Sequence, residues 1–147
     1  MKILMVCLGN ICRSPLAEGI MAKKIGDHQL DWEVDSAGTA SYHLGSPPDA
    51  RSVAVAAEHG IDISHQRCRQ LQVTDFYEFD IIIAMDAQNY NNIRSIQPAD
   101  GTAEVKMLLN YAHPGQNRQV PDPYYHGGFE AVYDMISEAC EVLVTAQ

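Results

Sequence analysis

Val6-Cys7-Leu8-Gly9-Asn10-Ile11-Cys12-Arg13-Ser14-Pro15 ends a short apolar run and leads into an amphipathic one. It sets a thiol and a guanidinium six positions apart, across a loop containing Gly9, at a strand exit and a helix entrance. A chain turning onto a helix N-terminus points several unpaired N–H groups at one spot, and the helix dipole adds partial positive charge there. A tetrahedral dianion fits such a spot, and Arg13 can fork two donors onto it. Cys7 faces the same donors and the same cation, a setting that favours its thiolate, the nucleophilic form. Ser14 before Pro15 reads as an N-cap with proline at the first helical position. The Ser14 hydroxyl also has the reach to donate toward the Cys7 sulfur.

Leu8, Gly9, Asn10, Ile11, Cys12 and Ser14 are therefore expected to form a phosphate-binding loop after the first strand, with Cys7 as nucleophile and Arg13 as anion clamp. A Cys-x5-Arg spacing also arises by chance, and buried cysteines are usually inert hydrophobes. The coincidence of strand end, glycine and helix start favours the loop.

Alternation of apolar runs and helical patterns sets the fold around this loop. Strands are expected at Ile3 to Cys7, Trp32 to Ala37, Ile81 to Met85 and Val105 to Leu109. Helices are expected from Pro15 to Ile25 with Leu16, Ile20 and Met21 inward, and from Asp49 to His59, ended by Gly60, with Val53, Ala56 and Ala57 inward. A third runs from an Asp86 cap to about Ile96, and a closing helix from Gly128 to about Ala146. This pattern predicts an α/β fold, a single three-layer domain over residues 1–147 with a four-stranded parallel sheet and helices on both faces. Ligands of such sheets bind beyond the carboxyl ends of strands, where Cys7 lies. Gly38 to Pro48 and Asn110 to Gly127 remain as long irregular stretches, a common place for function.

Composition narrows the class. At 147 residues and 46% hydrophobic, the chain fits one ordinary core. Its start has one charge and a short apolar run without a small-residue cleavage site, unlike a signal peptide. No segment reaches the length of a membrane span. Cysteines at 7, 12, 68 and 140 match no zinc spacing, and a reducing cytoplasm is expected, with no metal or other cofactor. A net charge of −9 without a basic run argues against nucleic acid and anionic membrane as partners.

A thiolate attacking phosphorus needs an acid for the departing oxygen. Asp122 is the candidate, because Pro121 and Pro123 restrict the backbone on either side. Tyr42, Tyr124 and Tyr125 could wall a slot for an aromatic leaving group. Pro-Asp-Pro is equally common in solvated turns, and loop tyrosines often just pack.

Cys7-Leu8-Gly9-Asn10-Ile11-Cys12-Arg13-Ser14 followed far downstream by Asp122-Pro123-Tyr124-Tyr125 resembles the low-molecular-weight protein tyrosine phosphatases. The resemblance continues through Asp35-Ser36-Ala37-Gly38-Thr39, Pro47-Pro48-Asp49, Ser64-His65 and Ala84-Met85-Asp86. It implies metal-free hydrolysis of phosphotyrosine through a phosphocysteine, with Asp122 as acid and then base. It implies a hydrogen-bonded support of the loop by Asn10, Ser36 and His65, a thiolate partner in Ser14, and a reversible oxidation guard formed by Cys7 with Cys12. It further implies a phosphotyrosine protein as substrate, in bacterial relatives often an autophosphorylated tyrosine kinase. A monomer is the expected state.

Three rivals share some of these features. Thioredoxin-coupled arsenate reductases relay a disulfide through two further mid-chain cysteines, whereas only Cys68 lies there. Protein arginine phosphatases resemble a version with threonine at the position of Ile11. A non-catalytic phosphoprotein-binding or flavodoxin-like module would need neither the Cys7-to-Arg13 spacing nor a distant acid.

Overall fold

The computed structural model describes residues 1–146. Four strands, β1 (Lys2–Cys7), β2 (Glu33–Gly38), β3 (Ile81–Ala84) and β4 (Glu104–Met107), form one parallel sheet in the order β2-β1-β3-β4. Between and after them lie α1 (Arg13–Asp27), α2 (Ala50–Glu58), α3 (Asp75–Glu78), α4 (Ala87–Ile96), α5 (Pro123–His126) and α6 (Phe129–Thr145). The expected four-stranded parallel sheet with helices on both faces is the observed architecture.

Strand period two divides the core. Ile3, Met5, Cys7 and Ile83 point to one face, where Leu16, Ile20 and Met21 of α1 meet Ile136, Cys140 and Leu143 of α6. Leu4, Val6, Ile82 and Ala84 point to the other, against Phe76 of α3 and Ile93 of α4. Central strands buried on both faces read as unbroken apolar runs, which is why Ile3 to Cys7 and Ile81 to Ala84 were legible.

Caps fix where the helices begin and end. Asp49 accepts the N–H of Arg51 at 2.8 Å and Asp86 that of Asn89 at 2.7 Å, as expected of N-caps. Gly60, at φ 77°, closes α2: its N–H reaches the Ala57 carbonyl and that of Ile61 the Ala56 carbonyl.

Some expectations shift. Helix α1 starts at Arg13 with Cys12 as its N-cap, so Ser14 is its second residue rather than its cap. The Ser14 hydroxyl is drawn inward by Cys7 and Asn10, leaving the capping position to a residue with no side-chain cap bond. Val53 packs half-buried against the core, as expected, beside the buried Ser52, Val55 and Ala56, whereas Ala57 is exposed; Ser52 donates to the Cys12 carbonyl at 3.3 Å. Strand β4 ends at Met107, where Leu108–Asn110 tightens into a 3-10 turn. The irregular stretch after Asn110 holds the single turn α5, and α3 precedes β3.

Candidate active site

Cys7 is the last residue of β1, and the loop Leu8 to Cys12 carries the chain from it into α1. Its carbonyls are tied outward: Thr39 N–H donates to the Cys7 carbonyl and Ala40 N–H to that of Leu8, each at 2.9 Å, and Asp49 N–H to that of Ile11 at 2.8 Å. Among the described residues, the amides of Leu8, Gly9, Asn10, Ile11 and Cys12 donate to no protein acceptor. Five consecutive N–H groups are thus left for a ligand, at a helix N-terminus.

Asn10 is the keystone of the curl. It is 2% exposed and takes φ 57°, a left-handed conformation asparagine tolerates better than most residues. Its Nδ2 donates to Ser14 Oγ at 2.8 Å and to Ser36 Oγ at 3.0 Å, while its Oδ1 accepts the N–H of Arg69 at 3.0 Å. The Cys68 thiol donates to its carbonyl at 2.8 Å. Beneath the loop runs Gly38, where an added Cβ would lie 2.8 Å from the Leu8 carbonyl oxygen and 3.1 Å from the Asn10 nitrogen. Only glycine lets the strand pass so close.

Ser14 Oγ lies 3.1 Å from Cys7 Sγ. Because Asn10 donates into that oxygen, the Ser14 hydroxyl proton can turn to the sulfur, its alternative being the Ala37 carbonyl at 3.4 Å. Ser36 accepts from Asn10 and donates its hydroxyl to Glu18 Oε1 at 2.7 Å; the exposed His65 bonds to neither Asn10 nor Ser36 but lies within electrostatic reach of that Glu18. Burial raises the Glu18 carboxyl above its ordinary value, partly countered by that hydroxyl.

Arg13 is 2% exposed. Its Nη1 donates to Asp86 Oδ2 at 2.7 Å and to the Val120 carbonyl at 2.9 Å, and its Nη2 lies 3.6 Å from Asp122 Oδ2. Asp122 caps α5, accepting the N–H of Tyr124 on Oδ1 at 3.1 Å, so the helical turn aims the carboxylate. Cys7, Leu8, Gly9, Ile11, Cys12 and Arg13 floor one small pocket, walled by Asp122 and by Tyr42, His43, Tyr124 and Tyr125. Tyr42 and Tyr125 are 73% and 70% exposed, standing as a rim rather than packing as core.

Sequence reasoning brought Cys7, Arg13, Asp122, the loop and the three tyrosines to one place. Besides Cys68 and Arg69 under Asn10, it missed several contributors. His43 joins the wall, 6.4 Å from the Tyr124 ring, and its neighbour Tyr42 was the available signal. Arg51 lies over Tyr124 and Phe129 at 5.7 and 4.7 Å, steadying the α5 turn from α2. Asp86 was read as a cap alone, and nothing local singled out Glu18. Burial, with Asp49 and Cys7 nearby, pushes the Cys12 thiol up to about 12. All four cysteines are free, and no cluster of side chains suited to a metal occurs among the described residues.

The fold and this pocket define a small cysteine-loop phosphatase architecture, and comparison with known proteins agrees. The model of the low molecular weight phosphotyrosine protein phosphatase family matches residues 2–147, and the chain belongs to that family. The Synechocystis protein slr0328 is 47% identical over 99% of this chain and 96% of its own length. The crystal structure of YfkJ from Bacillus subtilis, 39% identical, covers 99% of this chain and 93% of its own with a TM-score of 0.92. That of DARP, a Drosophila arginine phosphatase, is 35% identical, covers 99% and 97%, and has a TM-score of 0.93.

Proposed function

We propose that this protein hydrolyses phosphotyrosine in proteins, and aryl phosphates generally, through a phosphocysteine on Cys7. The observation that carries this reading is the row of unpaired amides from Leu8 to Cys12, held between the Cys7 thiol and the buried Arg13 guanidinium. In the first step the Cys7 thiolate attacks phosphorus in line. The S–P bond forms as the P–O bond to the ring breaks, and Asp122 gives its proton to the departing phenol oxygen. The amides and Arg13 hold the three equatorial oxygens, where preorganised donors act without reorganisation at the moment of reaction. Water then attacks phosphorus, Asp122 takes its proton, the S–P bond breaks, and phosphate leaves with the thiolate restored. Ser14 supplies the sulfur with a hydroxyl partner as it leaves.

Tyr42, His43, Tyr124 and Tyr125 favour a flat aromatic leaving group, and Ile11 adds an apolar side chain to the pocket. The similarity to an arginine phosphatase keeps phosphoarginine as the second reading. Arsenate reduction is less well supported, because mid-chain Cys68 stands alone with its thiol engaged by the Asn10 carbonyl. Four unpaired thiols suit a reducing cytoplasm, and no helix among the described residues is long and apolar enough to cross a membrane. A tyrosine kinase bearing its own phosphotyrosines fits the substrate chemistry.

The test is a substrate panel of phosphotyrosine peptide, phosphoarginine peptide, and arsenate with thioredoxin. Turnover of the first alone is expected, abolished in Cys7→Ser and slowed by about two decades or more in Asp122→Asn. Preference for phosphoarginine would replace this reading with the second.

A further inference from the structure

We propose that the outer edge of β4 is a self-pairing surface that joins two copies of this chain about a two-fold axis through Val105. Glu104 donates its N–H to the Asp80 carbonyl, which fixes the alternation of the parallel ladder with β3. Glu104 and Lys106 therefore bond inward, and the N–H and C=O of Val105 point away from the sheet. Among the described residues no strand lies beyond β4. Two grooves of about 590 and 500 Å³ run along this edge and meet at Val105 and Lys106, leaving room for another strand.

Charge identifies the occupant. Open edges are commonly guarded by a lysine, which repels its own kind. Here Glu104 stands two positions before Lys106, on the same face, and both are exposed. An antiparallel partner centred on Val105 sets Val105 opposite Val105 of the second copy, so their outward amides and carbonyls exchange two hydrogen bonds. The same register sets Glu104 opposite Lys106 of the second copy, twice, at positions where side chains approach most closely. Backbone alternation and charge order thus agree on one register. The existing Lys106 to Glu104 pair, at 3.2 Å, is exposed and readily exchanged for the intermolecular ones. The product is a continuous eight-stranded sheet with its two Cys7 loops at opposite ends, both open, a departure from the monomer expected from the sequence.

Sedimentation of the wild-type protein up to about 1 mM should show reversible dimerisation in the range typical of small interfaces. Glu104→Lys and Lys106→Glu each place like charges opposite one another and should weaken association about tenfold or more, with phosphatase activity unchanged as the check on folding. Mixing the two variants should restore association, because each substituted side chain then faces the other, opposite in sign, and the unchanged Lys106 of one copy faces the unchanged Glu104 of its partner. Hydrogen exchange on the wild type should show the Val105 amide becoming protected as concentration rises. A monomer throughout, association indifferent to both reversals, or a mixture that stays monomeric overturns the proposal.

Discussion

Asp86 grips Arg13 with Oδ2 and starts α4 with Oδ1, so one carboxylate at the exit of β3 both orients the anion clamp and begins a helix. A buried guanidinium needs such a partner, since removing one member of a buried pair leaves an uncompensated charge. Asp86→Asn keeps one acceptor oxygen, enough for the Asn89 cap or for Arg13 but not both, and loses the charge. It is expected to lower kcat/KM about tenfold or more through a misaligned Arg13, with the helix retained by circular dichroism. Unchanged kinetics would show that Val120 alone positions the clamp.

Gly38→Ala tests the closeness of strand and loop. The new Cβ meets backbone atoms of Leu8, Gly9 and Asn10 that cannot rotate away, so the loop itself must move. Phosphate inhibition should weaken together with turnover, by about tenfold or more each, with the sheet intact. Retained phosphate affinity would mean that the loop tolerates a wider seat.

The cap at Asp49 carries a pH signature. Hydrogen bonds from the Arg51 side chain, and secondarily its backbone N–H, hold the carboxyl below its usual range. A depressed acid contributes stability above its unfolded value and loses it as pH falls through the folded one. Asp49→Ala should cost about 1 kcal/mol at neutral pH, and the difference from wild type should shrink as the pH is lowered into the acid range. Urea unfolding of both proteins along that series checks it; a constant gap would locate the effect outside the carboxylate.

Cys12 lines the same pocket as Cys7, and burial pushes its thiol up to about 12. Peroxide would convert Cys7 to a sulfenic acid, from which the Cys12 sulfur displaces water to form a disulfide. Activity lost to brief peroxide should return with thiol reductant in the wild type and return less completely in Cys12→Ser. Equal recovery removes the guard role.

Much of this architecture was legible in the chain. Ile3 to Cys7 and Ile81 to Ala84 announced themselves because both their faces are covered, and Asp49 and Asp86 because capping acts over two or three residues. The Cys7-to-Arg13 loop carried its chemistry in its spacing. Contacts made only in three dimensions were hidden: Asp86 on Arg13, Glu18 on Ser36, and Cys68 and Arg69 under Asn10. Ser14 misled for the same reason, since its hydroxyl had a tertiary claim stronger than the local one. The α3 and α5 turns are too short for periodicity to show, and the 3-10 turn at Leu108 looked like more strand because its residues are equally apolar. His65, assigned to the support by resemblance, makes no hydrogen bond to Asn10 or Ser36 but lies within electrostatic reach of Glu18, which accepts the Ser36 proton.

Cys7 comes from the first strand, whereas the second anchor of Arg13 at Val120 and the Asp122 carboxylate come from the chain's last fifth, with Val120 hydrogen-bonded to Met85 across the middle. The pocket is therefore closed only by the finished chain: until the segment around residues 120–122 docks, Arg13 lacks its Val120 carbonyl and the wall lacks the Asp122 carboxylate.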